Sequence, residues 1–131
     1  MSPFKKYLGR LLRIAVAIIF LQTLYFKFSA HPDSVYIFSK LGVEPYGRIG
    51  LGILELITGI LILIPKTAKY GMFSGLVLIS GALASHLGPL GIEIRGDGGT
   101  LFYLAVLTFA LTLVWWGLNF QEIKSWIKPK A

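Results

Sequence analysis

The chain has 131 residues, 55% of them hydrophobic and 15% charged, with no cysteine. Water-soluble domains carry about 25% charged residues. The mean hydropathy of +0.72 therefore excludes a disordered chain and argues for a small integral membrane protein, and the missing cysteine excludes a disulfide scaffold, a thiolate metal site and thiol exchange within the chain. The formal net charge of +7 is not a nucleic-acid signal, because the basic residues cluster at the ends of apolar runs instead of along one polar face.

Four apolar runs follow in order, at 11–29, 46–64, 70–87 and 100–119. Each is about 18–20 residues, enough at 1.5 Å per residue to cross a hydrocarbon core of roughly 30 Å. The expected fold is all-α, a single integral membrane four-helix bundle spanning 1–131. Four runs exceed what a signal peptide explains, and the first lacks a small-residue cleavage site, so it is read as retained. Pro3 marks a possible short interfacial helix leading into the first span, with Lys5, Lys6 and Arg10 toward headgroups.

Every proline lies in a flank. His31-Pro32-Asp33 closes the first span, Pro45 and Pro65 bracket the second, Pro89 and Gly91 end the third, and Asp97-Gly98-Gly99 turns into the fourth. The loop at 30–45 carries Val35, Tyr36, Phe38 and Leu41 at near-helical spacing. It reads either as a short helix lying on or dipping into the interface or as an ordered loop capping the bundle. The next loop is only about five residues long, so the second and third spans are antiparallel neighbours.

Charge asymmetry predicts orientation. Lys5, Lys6, Arg10, Arg13, Lys66, Lys69, Lys124, Lys128 and Lys130 share one side with the single acid Glu122. On the other side, Asp33, Lys40, Glu44 and Arg48 balance, and Glu93, Arg95 and Asp97 leave one negative charge. Both termini are expected in the cytoplasm, in a bacterial cytoplasmic membrane. Trp115, Trp116 and Trp126 are expected as interfacial aromatics at the cytoplasmic end.

Ionisable residues at membrane depth are costly and point to function. Glu55 sits near the centre of the second span, Lys27 near the outer end of the first, and His86 near the outer end of the third. A mid-depth carboxyl must be paired, protonated or facing a wet cavity. Lys27 leans back toward its own amino terminus and can reach inward to Glu55, with Gln22 bridging the remainder and Asp97, Arg95 and Arg48 above. The expected site is a polar pocket of Lys27, Glu55, His86, Gln22 and Asp97 serving ligand binding or proton relay. The plainer readings are a snorkelling Lys27, an interfacial His86, and Glu55 as glue between helices.

Two histidines and no HExxH or CxxC leave no metal motif. Gly71 and Gly75 form a GxxxG pair, Gly81 and Ser85 repeat the spacing, and Gly52 and Gly59 flank Glu55. Such small residues let helix backbones approach, within the bundle or in a homo-oligomer.

These residues in this order resemble the DoxX-like family of small four-span membrane proteins. The likeness runs over 10–120: Arg13, Phe20-Leu21 and Lys27; Glu55 then Gly59; Gly81 through His86; and the turn Gly96, Asp97, Gly98. The stretch HPDSVYIFSKLG to EPYGRIG looks like one branch of that family. Leu24 departs from it, standing where a small residue is common, which implies a narrower groove or shifted helix packing beside Lys27. The resemblance implies a four-helix bundle. It also implies a role like that of subunits of a thiosulfate:quinone oxidoreductase or of an oxidative-stress oxidoreductase complex, whereas distant animal relatives look like assembly chaperones.

Three functions therefore compete. The first is an accessory subunit of a quinone-linked redox system, with membrane lipids, a quinone and a membrane or peripheral redox partner as its contacts. The second is a non-enzymatic assembly or chaperone module using the glycine-rich faces. The third is a small transporter or channel, for which four spans and no charged ring offer little.

Overall fold

A computed structural model describes residues 2–127. Lys128 and Lys130, placed above on the basic side, lie outside the described residues, as does the side chain of Trp126. Seven helices and no strand occur among the described residues: α1 Pro3–Gln22, α2 Leu24–Phe28, α3 Pro32–Lys40, α4 Tyr46–Leu63, α5 Ala68–Leu87, α6 Thr100–Leu118 and α7 Phe120–Ile127. Four stretches are long and apolar enough to cross a membrane: Pro3–Phe28, Tyr46–Leu63, Ala68–Leu87 and Thr100–Leu118. The fold is an all-α membrane four-helix bundle.

The segment after Pro3 is not a separate interfacial helix. Ser2 caps it by accepting from the Lys5 N–H at 3.3 Å, Pro3 occupies the first turn, and α1 then runs unbroken to Gln22. Proline suits that position because a first-turn N–H has no helical partner. The first span breaks only at Thr23, whose hydroxyl turns back toward the Phe20 carbonyl at 2.8 Å, a contact that competes with regular helix bonding. A further short helix, α7, follows α6 and was not apparent in the apolar pattern.

Helices α1, α4, α5 and α6 close a ring, α4 packing on α1 and α5, and α6 on α5 and α1. Within the segment 30–45 the short helix of the first reading is present as α3, and it packs over the end of the bundle as the second expects. It buries Ser34 and Phe38 against α2 and α4, and Asp33 accepts from Arg95 at 2.8 Å across the end of the bundle. Large apolar side chains such as Ile18, Phe73, Val77 and Leu107 point outward, while Glu55, Thr58, Thr108 and Thr112 lie inside. This distribution suits lipid, which offers no hydrophobic gain for apolar burial, so packing and internal hydrogen bonds must hold the helices together.

Glycine supplies that packing at named points. A Cβ on Gly52 would stand 2.8 Å from Phe28, one on Gly59 2.6 Å from Leu21, and one on Gly75 3.0 Å from Phe20. On Gly71 it would stand 2.6 Å from the backbone nitrogen of Ile62, a neighbour that cannot swing away. Gly71 and Gly75 thus face α4 and α1 within the chain and present no surface to a second copy. Gly81 does not pack at all: no atom lies within 4 Å of its Cβ position. Its GxxxS spacing with Ser85 marks an open side of α5. Trp115 also departs from expectation, being 6% exposed and part of the core, because its helix turns that face inward. The Trp116 indole N–H points to the Met72 carbonyl at 3.4 Å.

This geometry predicts opposite outcomes for two alanine substitutions. Gly71→Ala overpacks α5 on the α4 backbone and should destabilise by about 1–3 kcal/mol. Gly81→Ala meets open space and should leave stability unchanged or raise it by up to about 1 kcal/mol through helix propensity. Thermal unfolding in detergent reads both, and equal effects would contradict the packing described.

Candidate functional site

The buried residues of α4 are Arg48, Gly52, Glu55, Thr58, Gly59 and Ile62, a spacing of threes and fours that forms one helix face. Gly52 and Gly59 bracket Glu55 and admit α2 and α1 to close range on either side of it. Lys27 on α2 reaches inward, and its Nζ lies 3.1 Å from Glu55 Oε1. The two side chains are only 13% and 9% exposed. Thr23 meets the other carboxylate oxygen, its Oγ1 lying 2.5 Å from Glu55 Oε2. That hydroxyl has one proton and two acceptors, Glu55 and the Phe20 carbonyl, so it is shared between them or alternates. Thr23, not Gln22, is therefore the second residue to engage the carboxylate.

Arg48 is a buried clamp, not a loop charge above the pocket. Its Nε donates to both oxygens of Glu44, at 2.8 and 3.1 Å, and its Nη1 donates to the Lys27 carbonyl. The guanidinium thus pins the backbone of the residue whose ammonium pairs with Glu55. The sequence signal was available: Arg48 precedes Gly52 and Glu55 at helical spacing. At the opposite end of α4, Arg13 Nη1 donates to the Ile62 carbonyl at 2.8 Å and Thr67 Oγ1 to the Leu61 carbonyl at 2.9 Å, satisfying acceptors that a helix end leaves open.

Beside the ion pair lies a cavity of about 780 Å³, within the usual 300–1,000 Å³ range of small-molecule sites. Lys27, Glu55, His86, Gln22 and Asp97 all line it, and Gly81 opens onto it. Its walls are otherwise mostly apolar, with Phe20, Phe26 and Ile79 from the spans and Ile37 and Phe38 from α3. Leu24 is not part of the lining. His86 is buried, and its Nδ1 lies 3.0 Å from the Gly91 carbonyl. A carbonyl only accepts, so Nδ1 carries a proton, which leaves Nε2 an acceptor in the neutral tautomer and a donor in the protonated ring. The imidazole packs edge-on against Phe102.

Asp97 organises the loop at the cavity rim. Its carboxylate accepts from the backbone N–H groups of Ile94 at 3.0 Å, Gly99 at 2.7 Å and Leu101 at 3.2 Å. The turn places Gly99 at φ +91°, a conformation that only glycine adopts readily. Partial burial alone would raise the Asp97 pKa. The three N–H donors, with nearby His86, outweigh it and hold the carboxyl below its ordinary range. Among the described residues no group of three or more His, Cys, Asp or Glu side chains is placed to hold a metal ion.

The fold and site together define a small all-α integral membrane protein with a mostly apolar cavity that carries a few polar side chains. No protein-family model, no curated protein and no solved structure matches the chain.

A depressed folded-state pKa means that the Asp97 carboxylate stabilises the loop above the ordinary aspartate range, and that this contribution is lost as pH falls through the lower folded value. After correction for intrinsic rates, hydrogen exchange at Gly99 and Leu101 should therefore speed up as pH drops below about 4. Asp97→Asn should flatten that dependence. At neutral pH, Asp97→Ala should speed exchange by about tenfold, in line with the loss of a capping carboxylate. Exchange indifferent to both substitutions would refute the anchoring role.

Proposed function

We propose that the chain is an accessory subunit of a quinone-linked redox system in a bacterial cytoplasmic membrane, both termini in the cytoplasm, and that its cavity receives the quinone. The observation carrying this reading is the convergence of Lys27, Glu55, His86, Gln22 and Asp97 on one mostly apolar cavity of about 780 Å³. A quinone is an apolar ring and tail with two carbonyl acceptors. Lys27 keeps donors beyond the one directed at Glu55, and the Gln22 amide adds two. His86 Nε2 is suited to accept from the hydroxyl of the reduced form. The aromatic and aliphatic walls suit the ring and tail.

Reduction of a quinone to a quinol takes two electrons and two protons. With no cysteine, the chain has no thiol couple to supply the electrons, which fits an accessory role beside a redox partner protein. Glu55 is the proton carrier of this reading at mid-span, whereas Asp97, held below its ordinary range by its backbone donors, shapes the rim. The likeness to the DoxX-like family supports the same assignment through that family's quinone-linked subunits. The assembly reading loses ground because Gly71 and Gly75, the face it would use, are covered by α4 and α1.

Calorimetric titration of the full-length protein in mild detergent with a decyl-tailed benzoquinone tests this. Wild type should bind saturably. Lys27→Gln should weaken binding by about tenfold or more, the scale of a hydrogen bond from a charged group. Gly81→Leu should fill the cavity mouth and abolish binding while leaving thermal stability intact. Absence of saturable binding, or unchanged binding by Gly81→Leu, would overturn the proposal.

A further inference from the structure

A second concavity lies at the other end of the bundle, where α1 begins and α4 and α6 end. It is an open cleft of about 410 Å³. Six cations line it from three separate parts of the chain: Lys5, Lys6, Arg10 and Arg13 on α1, Lys66 in the α4–α5 connection, and Lys69 on α5. Among the described residues, Glu122 of α7 is the single carboxylate in the lining. None of Lys5, Lys6, Arg10 or Lys66 has an acidic side chain within ion-pair distance among the described residues. Basic residues that merely set orientation can spread around a bundle's rim. Here they converge on one hollow, where Lys5, Lys6, Arg10 and Lys66 repel one another with a single carboxylate beside them among the described residues.

The floor adds donors to the charged rim. Gly9 has no side chain there, and its Cβ position stands 3.9 Å from Trp115 Nε1 and 4.0 Å from Asn119 Nδ2. The Trp115 indole N–H has no acceptor among the described residues, yet it is not sealed from the cleft. Asn119 Nδ2 spends one N–H on the Trp115 carbonyl at 2.8 Å. Arg13 is fixed in place by its bond to the Ile62 carbonyl, which uses one of its five N–H groups. The cleft therefore offers an indole donor, an amide, an immobilised guanidinium and several ammonium groups. The complementary ligand is compact, multiply negative and purely hydrogen-bond accepting, which describes a phosphate group.

We propose that this cleft binds a phosphate-bearing anion, either the headgroup of an anionic phospholipid or a water-soluble phosphate. The site is distinct from the quinone cavity and does not depend on that reading. Binding relieves the repulsion among the six cations, so occupancy stabilises the fold.

The test measures thermal unfolding and affinity for the full-length protein in detergent, with phosphatidylglycerol, phosphatidylcholine and inorganic pyrophosphate as separate probes. Phosphatidylglycerol or pyrophosphate should raise the unfolding temperature saturably, and phosphatidylcholine should not. Stabilisation by phosphatidylglycerol alone identifies the lipid source, and by pyrophosphate alone the soluble one. Each neutralised cation should weaken binding about fivefold, so K5Q/R10Q/K66Q should lose on the order of a hundredfold. Glu122→Gln removes the opposing charge and should tighten binding about fivefold. It leaves every cation in place and decides the matter if the triple variant fails to fold. No stabilisation by either anion, or affinities indifferent to Glu122→Gln, would overturn the proposal.

Discussion

The structure turns on a carboxylate at mid-membrane that must have a partner. An ionised Glu55 cannot face hydrocarbon, and the chain answers with Lys27 at 3.1 Å and Thr23 at 2.5 Å. Those two contacts dictate how α1, α2 and α4 meet. The backbones must come close, so glycine stands at 52 and 59, one turn to either side of the carboxylate. The first span must present both a hydroxyl and an ammonium to one point, and it does so where its helix is interrupted at Thr23. Arg48 then holds the Lys27 carbonyl and is itself held by Glu44, so the pair is braced from the end of the bundle where α4 begins. An ion pair in low dielectric gains little net stability over apolar packing, but it punishes any arrangement that separates it. It therefore selects one register of these helices over others.

The same pair is one wall of the cavity. Charge on this wall, an imidazole on another and a rigid carboxylate-anchored loop at the rim give an apolar hollow a polar end. Helix α3 and the Asp33–Arg95 contact cover that end. An amphipathic molecule entering from the lipid would find its chemistry matched along its length. The opposite end of the bundle is built on different chemistry, with cations and neutral donors around a shallow cleft. The two sites suit an uncharged acceptor and an anion respectively, and the bundle separates them.

Much of this was legible in the residues. Four apolar runs and their proline flanks place the span ends to within two positions, because the bilayer fixes element length, except at the first, whose helix begins at Pro3, eight residues before its apolar run. Glu55 stood out for the same reason: nothing local explains a carboxylate in LGILELITG. Its partner was legible through reach, since few cations lie deep enough. Thr23 was harder to assign, because a hydroxyl next to an amide offers no pattern favouring it over Gln22. The inward turn of Trp115 was hidden because α6 is apolar on every side, and an evenly apolar helix does not declare which face packs. That Gly81 packs on no other helix of the chain was hidden for a related reason. Small-residue spacing shows where backbones are able to approach, whereas contact depends on the rotation of α5. Arg48 lay near a span end, where a charge ordinarily means a headgroup contact.

The dependence of the bundle on the Lys27–Glu55 pair is open to direct measurement by a double-mutant cycle on reversible unfolding in detergent, with Lys27→Met, Glu55→Leu and both together. Each single change leaves a buried charge unpaired and should cost about 3–5 kcal/mol. The double change removes both charges and should cost at least about 2 kcal/mol less than the sum of the two. Losses that add to within about 0.5 kcal/mol would mean that the two side chains do not depend on each other, and the account built on them would fail.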